Sequence, residues 1–347
     1  MKASYVSTAA INFGLRNATA SMQRQLPDLQ LETVTGRNAD SGLAIGSKTG
    51  ELASLRHDIS VLQRLSDTND LASVRMRTSQ SSMGQLTAMG DNLIEAISLV
   101  LGNNAQKSAV ATTASSGIAE MTASLNATVG GVFVFGGENS DTAPIADYEG
   151  SAAQTAFRNA FAADFGFPID SPLAENITDA QIQNFITNTA EPLFLGAGWT
   201  TSLSNASDEV PDTRVSDNVT VKTSVSANEE SIQKIMFSSI LASELYNTNL
   251  GDGALDAVGE YVVENVTEAN GGITQKRGII GLSQERVERA NEALDLQKSL
   301  LETFVIDLDG VDTYETAIKV NSLLTQIEVS YSVTARIQSL SLMQYLR

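Results

Sequence analysis

The stretch from Asp312 to Arg347 contains neither glycine nor proline. Nothing in it stops a helix, and Asp312 followed by Glu315 is the pattern of an N-cap with a reciprocal partner. Val320, Leu324, Ile327, Tyr331 and Thr334 recur at alternating steps of four and three, and Ile337 and Leu340 carry the row onward. That is a coiled-coil-like period. At about 1.5 Å per residue it predicts a rod of roughly 50 Å with one apolar stripe. A helix of this kind gains most of its stability from packing, so the stripe demands a partner. The other end of the chain offers one. Val6, Ala10, Phe13, Asn17 and Ala20 keep a weaker form of the same period, and Met22, Leu26 and Leu29 continue it with a phase shift. Both ends carry Ser, Thr, Gln and Asn beside the stripe. The predicted seam is wide but thin, and its order is expected to depend on stripes added by neighbouring molecules.

Between these ends the pattern changes twice. Thr35 to Gly42 reads as a polar turn. From about Glu51 a helical region follows, with Leu52, Leu55, Ile59, Leu62 and Leu65 on one row. Met76, Ser79, Met83, Leu86, Gly90, Leu93, Ile97 and Val100 form a second row, which predicts a rod of two or more segments ending near Gly102. An Ala/Ser/Thr-rich helix is expected over about 107–128. Gly130 to Gly137 is then a short apolar run of strand formers between glycine pairs, most simply a buried strand entering a turn. The middle third holds eight of the eleven phenylalanines and Trp199, so the dense core is expected there. Phe157, Phe161 and Phe165 share one helix face ended by Gly166 and Pro168, and Thr178 with Gln181 is a capping box for a short helix through Phe185. Val219, Val221, Thr223 and Val225 alternate as a strand. Helix returns after Asn228, a candidate N-cap, then over about 255–270 up to Gly271-Gly272, and again over about 282–304, where Val287, Leu294 and Leu301 are spaced by sevens; Asp307 to Val311 is then expected as a loop leading into the final helix. The predicted fold is mainly α: long N- and C-terminal helices in a coiled-coil-like bundle around a central α+β insertion. Its expected divisions are 1–45 with 305–347, 46–135 with 226–304, and 136–225.

Chemistry-bearing patterns are scarce. There is no cysteine, which removes disulfides, thiolate metal sites and cysteine nucleophiles, and His57 is the sole histidine, so neither a histidine metal cluster nor a Ser/His/Asp triad is expected. The Asp307, Asp309, Asp312 and Glu315 group departs from the calcium-loop template, because Val311 and Asp312 stand where a side-chain ligand and the required glycine belong. The glycines around 130–137 lack the Lys-Ser/Thr or helix opening of a phosphate loop. No catalytic residue, metal or cofactor is assigned. Against 22 basic residues stand 41 acidic ones, a formal charge of -19 that opposes nucleic acid and anionic membranes. No apolar leader or membrane span is read in the sequence.

Three stretches are similar to a known family. Gln326-Ile327-Glu328-Val329-Ser330-Tyr331 with Ala335-Arg336-Ile337 and Leu340-Ser341-Leu342 resembles the C-terminus of the bacterial flagellins and their hook-associated relatives. Phe133-Val134-Phe135-Gly136-Gly137 with Thr142-Ala143-Pro144-Ile145 resembles that family's passage into its variable domain, and Thr35-Gly36-Arg37 with its flanking helices is the third. The resemblance covers the outer two thirds of the chain. It implies a structural subunit exported unfolded through the flagellar type III channel without a cleaved signal peptide, and placed in the extracellular flagellum. It implies terminal helices that form inner coiled-coil domains and are largely disordered in the monomer. The implied partners are further copies in a ring or helical assembly, a neighbouring hook-associated protein, flagellin, and an export chaperone on the C-terminal part. Subunit contacts are expected at Val6, Phe13, Leu26, Leu29, Val320, Leu324, Ile327, Tyr331, Ile337 and Leu340. Where filament flagellins carry an Asp-Asp-Ala-Ala-like run, Asp40-Ser41-Gly42-Leu43-Ala44-Ile45-Gly46 stands here, followed by Ser54-Leu55-Arg56, which resembles the hook–filament junction branch more than the filament branch. Flagellin itself, and more distantly a helical binding module, are the alternatives.

Overall fold

A computed structural model describes the backbone of residues 8–101, 106–216 and 218–345, and among these the side chains within 10–337. The chain divides into two compact units, 1–64 with 293–347 and 65–292.

The first unit contains α1 (Thr8–Thr35), α2 (Ser41–Ile45), the start of α3 (Thr49–Ser98), the end of α10 (Asp252–Asp309) and α11 (Thr313–Tyr345). The two terminal helices pack against each other, as the stripes require. They run antiparallel: the Val311 amide donates to Gly36 O at 3.0 Å, and farther along Gln23 Nε2 donates to Tyr331 Oη at 2.6 Å. Asp312 caps α11 by accepting from the amides of Tyr314 and Glu315. The Glu315 carboxylate turns to Lys319 at 2.8 Å, and the expected reciprocal bond gives way to this i,i+4 pair.

The second unit holds the remainder of α3 and α10, with α4 (Lys107–Leu125), the hairpin β1 (Thr128–Val129) and β2 (Val132–Phe133), α5 (Ala152–Phe165), α6 (Asp179–Phe185), α7 (Glu191–Phe194), α8 (Ala197–Ser202), the antiparallel pair β3 (Asp212–Ser216) and β4 (Val219–Lys222), and α9 (Glu230–Leu245). Every member of the row from Met76 to Val100, which ends just past α3, is buried. It packs in a core with α9, a helix buried on nearly every face through Ile235, Met236, Phe237, Ile240 and Leu241. Phe157 and Phe161 each meet Phe185 edge-on, and Phe194 stacks on Phe237. Gly166 ends α5 at φ +80°, and the Thr178–Gln181 capping box opens α6. Gly130 and Gly131, at φ +63° and +82°, form the two-residue hairpin turn in which both central residues need positive φ.

Several expectations are corrected. α3 is one helix of 50 residues, not two or more segments. α10 runs unbroken for 58 residues through Gly271-Gly272, because Gly272 serves a close helix crossing: a Cβ there would stand 3.1 Å from Ser231 Cβ on α9. α10 also continues through Asp307 to Asp309, where a loop was expected. α4 stops at Leu125, and Thr128 belongs to the hairpin. The strand after Val219 ends at Lys222 and pairs with β3, which the alternation did not predict. Asn228 is not the cap of α9; its side chain accepts from Trp199 Nε1 at 3.0 Å and donates to Ala206 O and Asp208, tying the central loops together.

Candidate assembly interface

The seam of the first unit is built from two heptad rows. On α11 the shielded positions are Thr316, Val320, Leu323, Ile327, Ser330, Thr334 and Ile337; on α1 they are Asn12, Leu15, Thr19, Met22, Leu26, Leu29 and Thr33. Steps alternate between three and four in both, the geometry of knobs-into-holes packing. The phase differs from the one expected. The α1 row continues without a shift from Met22 back through Thr19 and Leu15, which leaves Ala10, Phe13, Asn17 and Ala20 exposed. On α11, Leu323 and Ser330 take the seam, and Leu324 and Tyr331 lie beside it, 43% and 54% exposed. The misreading has a simple cause: Leu323 and Leu324 are adjacent apolar residues, and either satisfies a 3–4 spacing.

Of the expected contact residues, Leu26, Leu29, Val320, Ile327 and Ile337 are half-buried along the seam, and Phe13, Leu324 and Tyr331 are exposed. Val6 and the side chain of Leu340 lie outside the described residues. Small side chains make the seam shallow. Near Thr19, Ala20, Thr334 and Ala335 it opens into a groove of about 450 Å³.

At one end the seam is closed by a buried carboxylate that sequence reasoning assigned only to a loop. Asp309 is fully buried and accepts from Arg56 Nη2 at 2.6 Å, Ser41 Oγ at 2.9 Å and Asn38 Nδ2 at 3.3 Å. Its carbonyl accepts from the Asn38 amide at 3.0 Å, and Arg37 and Gly310 form an isolated antiparallel bridge. The polar turn 35–42 is thus clamped to the α10–α11 junction. The signal was present in the pairing of an acid with glycine at Asp309-Gly310, but its partner Arg56 is remote in sequence.

Around this clamp the unit exposes large apolar side chains. Leu31 and Val34 stand open on α1 and Leu43 on α2, with Leu296, Leu300, Phe304 and Ile306 on α10 and Tyr314 and Ile318 on α11. The 296–300–304 spacing is a second stripe on α10, beside the Leu294–Leu301 heptad row, and was not recognised in the sequence. Isolated exposed leucines are ordinary, but rows of them at helical spacing mark an interaction surface. Among the charged residues interleaved with these rows, the Glu315 hydrogen bond holds the Lys319 ammonium above its ordinary range. Among the described residues no group of three or more His, Cys, Asp or Glu side chains is placed to hold a metal ion, and no helix is long and apolar enough to cross a membrane.

Helices from the two ends of one chain, paired in antiparallel heptad register with an α+β region inserted between them, define a helical structural subunit. Residues 6–140 match the family model of the bacterial flagellin N-terminal helical region, and residues 263–346 that of the bacterial flagellin C-terminal helical region. Together these span more than half of the chain, which belongs to the bacterial flagellin family. Seventeen solved chains resemble the fold. One, from Vibrio parahaemolyticus and provisionally assigned as a flagellar hook-associated protein, aligns over 76% of this chain and 97% of its own with a TM-score of 0.51 and 10% identity, a likeness of fold. No curated protein matches the chain significantly.

Proposed function

We propose that the protein is the hook–filament junction subunit of the flagellum, hook-associated protein 3. The observation that carries the assembly role is the set of apolar rows left open on the paired terminal helices of a structural family. The choice within the family rests on Asp40-Ser41-Gly42-Leu43-Ala44-Ile45-Gly46, which departs from the filament pattern, and the hook-associated assignment of the Vibrio parahaemolyticus relative agrees with it. On this reading the subunit is exported unfolded through the type III channel with a chaperone on its C-terminal part. It then assembles with copies of itself, between a neighbouring hook-associated protein and flagellin. Residues 1–45 with 305–347 form the inner axial part, 46–135 with 226–304 the rod, and 136–225 the outer insertion. Phe13, Leu324 and Tyr331, exposed beside the seam, contact neighbouring subunits, together with Val6 and Leu340.

The test separates seam from surface. Leu324→Asp is expected to abolish incorporation into flagella while leaving monomer helicity and the second unit intact. Leu323→Asp is expected to unpair α1 and α11 as well, read as loss of helical circular dichroism. Normal filament attachment with Leu324→Asp would overturn the interface. The second reading, flagellin, is distinguished by concentrating the full-length protein with sulfate: long filaments in electron micrographs would make it the filament subunit.

A further inference from the structure

The second unit contains an open cavity of about 660 Å³ between α4, the segment 147–158 and α9, and nothing in an axial assembly role calls for it. Its size falls in the range of small-molecule sites. At its base lies Glu244, 5% exposed on an otherwise apolar helix. The carboxylate accepts from Arg158 Nε at 2.8 Å and Nη2 at 3.3 Å, from Gln154 Nε2 at 2.6 Å and from Tyr148 Oη at 3.4 Å. A buried ion pair of this kind contributes little net stability compared with apolar packing of the same shape. Here it presents a fixed, planar array of donors and acceptors to a cavity, and half of the Arg158 side chain remains open to it.

A second observation points the same way. Thr122 on α4, 5% exposed, also lines the cavity and places a hydroxyl-bearing side chain in its wall. Its neighbours Thr112 and Ser115 return their hydroxyls to backbone carbonyls of their own helix. Ser243 and Asn247 of α9 add polar groups opposite it, and Ala111, Ile118 and Ala119 supply an apolar strip.

The charge pattern selects the ligand class. Arg158 and Glu244 neutralise each other, so no unpaired charge lies at the base, and the exposed Asp147 and Glu149 at the sides repel anions. We propose that this cavity binds a neutral polyhydroxylated ligand, a mono- or disaccharide, with vicinal hydroxyls on the Arg158–Glu244 pair, a further hydroxyl on Thr122 and the C–H face on the apolar strip.

The test uses the full-length protein on an array of neutral mono- and disaccharides, followed by calorimetric titration of those retained, with spermidine and inorganic phosphate as charged probes. Saturable binding of a neutral saccharide is expected. Thr122→Val, isosteric and without the hydroxyl, is expected to weaken it about tenfold. Arg158→Lys, which keeps the charge and loses the two-pronged geometry, is expected to abolish it. Both variants should keep the parent melting temperature to within a few degrees. Absence of saccharide binding across the array, binding undiminished in both variants, or binding of spermidine or phosphate alone would each overturn the assignment.

Discussion

Asp309 shows how much one residue can carry in a shallow interface. Its carboxylate gathers Asn38, Ser41 and Arg56 onto the end of α10, and the adjoining backbone bridge fixes the direction in which α11 leaves. Arg56 is 44% exposed and regains water when the pair is lost, so the cost of Asp309→Ala lies chiefly in the hydrogen bonds to a buried carboxylate, about 2 kcal/mol. The expected result is faster amide hydrogen exchange at residues 36–42 and 311, with exchange in the second unit unchanged. Nothing in a linear reading singles out Arg56 as the partner, because the pair is separated by 253 residues and each half has an adequate local explanation.

At the level of elements, helices are legible where apolar residues recur at steps of three and four, and hidden where a glycine pair resembles a stop. Thr178 with Gln181 announces α6 because its chemistry is local. Gly271-Gly272 looked like a stop because the demand that explains it comes from α9, not from α10. The two kinds of helical glycine are separable by substitution. At Gly271 an added Cβ meets nothing within 4 Å, so Gly271→Ala is expected to stabilise by about 1 kcal/mol through helix propensity. At Gly90 it would stand 2.8 Å from both Ile235 Cδ1 and Val266 Cγ1, so Gly90→Ala is expected to cost about 1–3 kcal/mol. Thermal melting of the two variants checks the opposite signs. The seam itself was half legible: the pairing of the ends followed from the period, but its phase depended on which of two adjacent leucines faces inward.

In the molecule as a whole, the aromatic residues of the middle third are buried together, but the dense core expected there extends onto α3, α4, α9 and α10, because their long apolar rows pack against it. The cavity beside it was not legible, since Arg158, Glu244 and Thr122 come from three separate elements. The same core predicts alkaline sensitivity. Burial, first, and then neighbouring carboxylates hold the phenols of Tyr148, Tyr246 and Tyr261 above their ordinary value of 10.0. Folded and unfolded chains both keep these protons below about pH 10. Above it the unfolded chain releases them while the folded unit retains them, so stability falls as pH rises. These three tyrosines are expected to ionise only as the second unit unfolds, seen as a tyrosinate absorbance step coincident with loss of helical circular dichroism.

The antiparallel meeting of α1 and α11 also imposes an order in time. The Asn38–Asp309 and Gln23–Tyr331 contacts join residues 271 and 308 positions apart, so the first unit closes the longest loops in the chain. Contacts of such separation form late, because the entropy of bringing the ends together is lost before any packing compensates it. Pulsed hydrogen exchange during refolding is expected to protect α9 and the core of α3 first and α1 with α11 last. A chain emerging thread-like from any narrow passage therefore has its middle settled while its two ends are still searching for a mate, and whatever stands at the exit can supply one.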